Sequence, residues 1–171
     1  MNSQALFDSL RRFADILPAV VNGISVEDAR WRPEDGAWSI LEIVTHLADE
    51  EVEDFPVRLR STLTDPKQQW NPIDPEGWAV ERRYNEGDLS EQVQRFVSLR
   101  RESINWPRDL KNPDWANTFV HPKGEISAGD LLASWAAHDA LHLRQIAKRL
   151  FQMTQRDAGE YSTAYAGNWT A

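Results

Sequence analysis

At 171 residues, with 41% apolar and 27% charged side chains, the chain can fill one sizeable core and shows no composition shift that would mark a second domain. Its 27 Asp and Glu outweigh 19 Lys and Arg to give a net charge of -8, which disfavours attraction to a phosphate backbone and excludes nucleic acid as the expected partner. Cysteine is absent, so disulfides, thiolate metal ligands and a cysteine nucleophile are all excluded, and any thiol chemistry needs a thiol from outside.

The start, MNSQALFDSLRRFADIL, lacks the basic head, apolar centre and small-residue cleavage site of a signal peptide. No run reaches the roughly 18 apolar residues of a membrane span, so a cytoplasmic protein is expected. Residues 3–21 predict a first helix, with Leu6, Phe7, Leu10, Phe13, Ala14 and Leu17 recurring at steps of three and four. A second helix starts at Ser39, where Ser39-Ile40-Leu41-Glu42 has the spacing of a capping box. Ile40, Ile43, Val44, Leu47, Val52 and Phe55 carry its apolar stripe toward residue 64, with a kink expected at Pro56. Residues 65–88 form a long connection with three prolines, Trp70 and Trp78, and a short helix over 76–85; connections of this length tend to be functional. A third helix runs from 89 or 90 to about 105, closed by Trp106-Pro107. Around Phe119, alternation and the Pro-Lys-Gly turn predict an extended segment and a tight turn. The last long helix starts at a second capping box, Ser127 to Asp130, and carries Leu131, Leu132, Trp135, Leu141, Ile146 and Leu150. The whole of 1–171 reads as one domain, with a core over 3–151 and a polar, aromatic tail over 152–171. The eight tryptophans read as lids on the ends of the helices and walls of a cleft.

Chemistry concentrates in three histidines. His138 and His142 lie one helical turn apart and continue the inward stripe of Leu131, Trp135 and Ile146. His46 shares a face with Ile43, Leu47 and Glu50 in the second helix. Three inward imidazoles from two helices make a three-nitrogen metal site that leaves a position for water or substrate. Without a shared ion, burying three unpartnered imidazoles costs on the order of a few kcal/mol each. The bland alternative is three ordinary core histidines. Glu50, one turn after His46, is the candidate to orient an imidazole or handle a proton. The rest of the acidic run Asp49, Glu50, Glu51, Glu53, Asp54 reads as a solvated helix face. Asp139 reads as a surface residue or one that supports a ligand, not as a general base, and His121 as a surface or loop-packing residue.

The stretches WRPEDGAWSILEIVTHLADEE and DWANTFVHPKGEISAGDLLASWAAHDALHLRQIAKRL resemble the DinB-like superfamily, and within it the YfiT-like metal-dependent hydrolases and bacillithiol transferases. The resemblance covers residues 13–151. It implies an all-α four-helix bundle with a long crossover connection and His46, His138 and His142 as metal ligands. It also implies zinc or nickel as the ion, activating water or a low-molecular-weight thiol against an electrophile. One departure is Leu141, where the family often places a histidine directly before the last ligand.

The resulting expectation is a metal-dependent hydrolase or thiol transferase acting on a small molecule, with the cation at one open end of the bundle. The competing reading is a non-catalytic metal-binding bundle, a stress-related binding protein or dimer scaffold. A fourth protein ligand from Glu50 or His121 would favour it. A homodimer is compatible with either.

Overall fold

The apolar stripe of the first segment forms α1 (Ser3–Val21), which buries Phe7, Leu10, Phe13, Ala14, Leu17 and Val21 on one face. The computed structural model describes residues 1–34, 36–108, 110–122 and 124–169; Lys123 of the anticipated turn and the last two residues of the tail lie outside the described residues. A short α2 (Val26–Arg30), capped by Ser25, had no periodic signature because one turn is too short to show one. The predicted capping box opens α3 (Ile40–Glu53): the Ser39 hydroxyl accepts the Glu42 amide and the Glu42 carboxylate accepts the Ser39 amide. Arg32 clasps the same carboxylate, Nε to Oε2 at 2.9 Å, and so fastens the loop before α3 to its first turn.

The expected kink is a break. Asp54 leaves helical geometry (φ -124°, ψ -101°), and α4 (Phe55–Thr64) begins anew with proline in its first turn. Pro56 has no N–H to give Val52, and its ring collides with the preceding turn, so the helix restarts in a new direction. The connection contains α5 (Pro75–Glu81) and a short 3₁₀ turn, Tyr84–Glu86. Next comes α6 (Leu89–Arg108), which runs past its expected end and takes Trp106-Pro107 into the last turn. A proline this close to the end of a helix removes one backbone bond without breaking the turns before it. Strands β1 (Thr118–His121) and β2 (Gly124–Ser127) pair antiparallel, Phe119 opposite Ile126, and the hairpin leads into the second capping box and α7 (Ala128–Ala158). No helix among the described residues is long and apolar enough to cross a membrane.

Two apolar clusters fix the topology. One joins Leu17 and Val21 near the end of α1, Ile40, Ile43 and Val44 at the start of α3, Val93 and Phe96 in the first half of α6, and Ile146 and Met153 late in α7. The other joins Phe7 and Leu10 near the start of α1, Leu59 of α4, Ile104 late in α6, and Leu131, Leu132 and Trp135 early in α7. Hence α1 and α7 point toward one end, while α3 and α6 start there and point away. Because α3 and α6 are parallel, residues 65–88 must return the length of the bundle. This is the long crossover of an all-α four-helix bundle.

Between the clusters lies Arg100, 1% exposed. Its Nη1 and Nη2 donate to both oxygens of Asp139 at 2.6 and 2.8 Å, its Nε to Glu51 Oε1 at 2.9 Å, and Nη1 also to the Leu10 carbonyl at 3.3 Å. Trp135 Nε1 donates to the same Glu51 oxygen at 2.9 Å. One guanidinium on α6 thus holds α1, α3 and α7 together. Asp139 is buried in this pair, so it is not a surface residue, and its carboxylate bonds go to Arg100.

The acidic run corrects its reading as a solvated face. Asp49, Glu50, Glu51 and Asp54 are buried, and of the five only Glu53 is half-exposed. Most of their partners arrive from distant segments: Arg82 (2.6 Å), Arg95 (2.6 Å) and the Tyr84 hydroxyl meet Asp49, and Arg100 meets Glu51, whereas Asp54 pairs locally with Arg58, four residues on, at 2.7 Å. These bonds hold Asp49 below the usual carboxylate range despite its burial. Among the described residues no Arg or Lys forms an ion pair with Glu50, and Arg58 acts on it only as a more distant charge.

Candidate metal centre

One helical turn separates His138 from His142 on α7, and α3 brings His46 against them. A donor atom from each of the three imidazoles lies within 4.8 Å of the others. His46 is 4% exposed, and its ring centre is 4.8 Å from that of His142 and 5.4 Å from that of His138. The cluster sits on the middle of α7, at the junction of the two apolar cores, and opens through the side of the bundle. The expected position at an open end is therefore corrected: apolar side chains of α3 and late α7 pack on one side of the histidines, and the buried group of Glu51, Arg100, Asp139 and Trp135 lies on the other.

The tautomers follow from the hydrogen bonds. His142 Nδ1 lies 2.8 Å from Gln145 Oε1, an acceptor, so Nδ1 carries the proton and Nε2 presents a lone pair. That Nε2 is 3.0 Å from His138 Nε2. His46 Nδ1 is buried with no hydrogen-bond partner, and Glu50 Oε1, likewise unpartnered, is 3.6 Å away. Burial together with the neighbouring imidazoles pushes His46 down to about 3 and His138 to about 2, and burial also lowers His142. All three are neutral at physiological pH, the form in which an imidazole can take a metal ion. Burial raises Glu50 above the usual carboxylate range, reinforced by Asp54 beside it.

A cleft of about 730 Å³ opens onto the three imidazoles. Trp38 lies over His46 at 4.9 Å and Phe55 over His138 at 5.0 Å, giving the cleft apolar walls. Asp74, Pro75 and Glu76 of the crossover form the wall beyond Glu50, and Gln145 and Arg149 the wall along α7. The reading of tryptophans as cleft walls thus fits Trp38, whereas Trp135 is a core residue bonded to Glu51. His121 packs near Trp70 and Phe119, with ring centres 6.1 and 6.4 Å away, and does not line the cleft.

The sequence matches the DinB superfamily over residues 9–146. This chain belongs to that superfamily. Within it, the chain is 25% identical over 138 residues to "Putative metal-dependent hydrolase OB0413" of Oceanobacillus iheyensis, covering 80% of this chain and 79% of the relative. It is also 25% identical over 114 residues to "Putative metal-dependent hydrolase YfiT" of Bacillus subtilis, covering 66% of this chain and 64% of that one. The solved structure of YfiT, described as a probable metal-dependent hydrolase with an unusual four-helix bundle topology, has the same fold. The TM-score is 0.79 at 20% identity, over 89% of this chain and 87% of that one. The parallel α3 and α6, joined by the crossover, account for a topology that differs from a simple up-and-down bundle.

Two features of this DinB-superfamily site escaped sequence reasoning. The crossover wall, Asp74 to Glu76, carries no periodic signal at all. Arg149 carries one: it lies seven residues after His142, two turns along the same face of α7, and interrupts an otherwise apolar stripe.

Proposed function

We propose that this chain is a metal-dependent hydrolase or thiol S-transferase, with His46, His138 and His142 holding a divalent cation, zinc or nickel. The observation that carries the reading is three neutral imidazoles with donor atoms within 4.8 Å, opening onto a cleft. The donor set fits the group: Zn–N bonds are about 2.0–2.1 Å, three imidazoles suit both metals, and one face stays free. A cation held there would lower the pKa of a water or small thiol toward neutrality and polarise the electrophile.

The remaining chemistry belongs to the chain. Gln145 fixes the His142 tautomer. Glu50 holds or moves a proton at Oε1, 3.6 Å from His46 Nδ1, its raised affinity for the proton suiting it to general acid and base work. Trp38 and Phe55 exclude water from the imidazoles on two sides. The cleft volume suits a small molecule, not a polymer. In this reading the whole of 1–171 acts as one domain in the cytoplasm, where a small thiol stays reduced. The open cleft, and His121 lying outside it, weigh against a closed structural site.

Turnover by the zinc- and nickel-loaded chain tests the reading, using an activated aryl ester with water and 1-chloro-2,4-dinitrobenzene with a small thiol. Ester turnover without thiol marks a hydrolase; thiol-dependent loss of chloride marks a transferase. Glu50→Gln should lower either rate about a hundredfold or more with the metal still bound. If metal loading accelerates neither reaction, the enzyme reading fails.

A further inference from the structure

Among the described residues two arginines are buried, and they are treated differently. Arg100 is surrounded by two carboxylates. Arg149, 6% exposed, makes its side-chain hydrogen bonds among the described residues to uncharged acceptors alone. Its Nε donates to the Trp38 carbonyl and its Nη1 to Gln152 Oε1, both at 2.6 Å. Glu34 acts on it only as a more distant charge, and burial lowers its pKa. A guanidinium withdrawn from water without a counter-charge is costly, and a fold tolerates that where a ligand brings the missing anion. Arg149 also lines the cleft, with Gln145 and His142 between it and the other imidazoles.

We propose that Arg149 anchors a carboxylate on the substrate, so that the cleft takes small carboxylic acids whose reacting atom lies about two helical turns away, at the three histidines. Seven residues along a helix correspond to roughly 10 Å, which a chain of about six to eight bonds spans after allowing for the side chains. The planar guanidinium can still offer Nη2 and one edge to a forked oxyanion. A single negative charge suits the cleft better than a phosphate, because Glu76 and Asp74 also line it and the chain as a whole carries -8. Asp74 is itself turned to the Gly77 amide at 3.0 Å, and Asp54 is paired with Arg58, so neither competes for Arg149.

This inference rests on the metal reading for the position of the reacting atom, but the anchor itself does not need the ion. The test uses 6-mercaptohexanoate and its neutral partner 6-mercaptohexanamide, titrated by NMR and calorimetry into the full-length chain with zinc and with chelator. The carboxylate should bind about tenfold or more tightly than the amide in both conditions, and the preference should vanish in Arg149→Gln. Should Arg149→Gln fail to fold, Arg149→Lys replaces it and should cut the preference about threefold or more, since an ammonium lacks the forked geometry. Equal affinity for acid and amide in the wild type overturns the proposal, as does a preference undiminished in the variants. Tighter binding of the amide with zinc than with chelator reports separately on the metal site, so either claim can fail alone.

Discussion

Replacing Arg100 with alanine is expected to destabilise the bundle by about 3–5 kcal/mol, the cost of stripping the partner from a buried ion pair. The physical cause is what remains. Glu51 and Asp139 would both stay buried beside each other with their cation gone, and the Leu10 carbonyl would lose its donor. For a chain of this size the loss corresponds to a fall in Tm of roughly 10 °C or more. Neutralising the acids as well, in Arg100→Met with Glu51→Gln and Asp139→Asn, should restore much of the loss, because the cost lies in unpaired charge and not in missing volume. Thermal and urea unfolding of the two variants checks this. Equal destabilisation in both would show that Arg100 acts through packing against Phe13, Phe96 and Trp135, over whose rings it also lies.

Acidification should release the metal far less readily than ordinary histidines would allow. Three free imidazoles of pKa about 6.5 would each be about nine-tenths protonated at pH 5.5, and the proton competition would weaken a divalent ion by roughly a thousandfold. In this fold, burial and mutual repulsion hold His46 near 3 and His138 near 2, and lower His142 as well. A base whose pKa is depressed binds no proton until the pH falls to the depressed value, so protons do not compete at His46 or His138 between pH 7.5 and 5.5, and compete less at His142 than at a free imidazole. Zinc affinity measured against a competing chelator should change less than about tenfold over that range. Gln145→Leu removes the acceptor at His142 Nδ1 and should weaken zinc about tenfold or more at every pH, through lost orientation.

What the sequence made legible was local. Helical periodicity and the two capping boxes depend on residues within four of each other, so α1, α3 and α7 could be read with their starts, and the HxxxH spacing placed two imidazoles on one face. What it hid depends on partners far apart in the chain. Arg82 meets Asp49 across 33 residues, Arg100 meets Asp139 across 39, and Arg149 meets the Trp38 carbonyl across 111. An acidic run looks solvated until those cations arrive. The same limit explains the misplaced site: the stripe of α7 shows that His138 and His142 face inward, but only the two apolar clusters, assembled from five helices, show that they face inward halfway along the bundle. The break at Asp54 matters for the same reason, since it lets α4 turn so that Phe55 comes to rest against His138.

Elemental analysis of the untagged full-length chain, alongside His46→Ala, His138→Ala and His142→Ala, tests the metal centre most directly. The account predicts about one zinc or nickel per chain in the wild type and loss of it in each of the three folded variants. No bound divalent ion, together with no thermal shift on adding zinc or nickel, would contradict it and leave one buried and two partly buried imidazoles serving only the packing of α3 against α7.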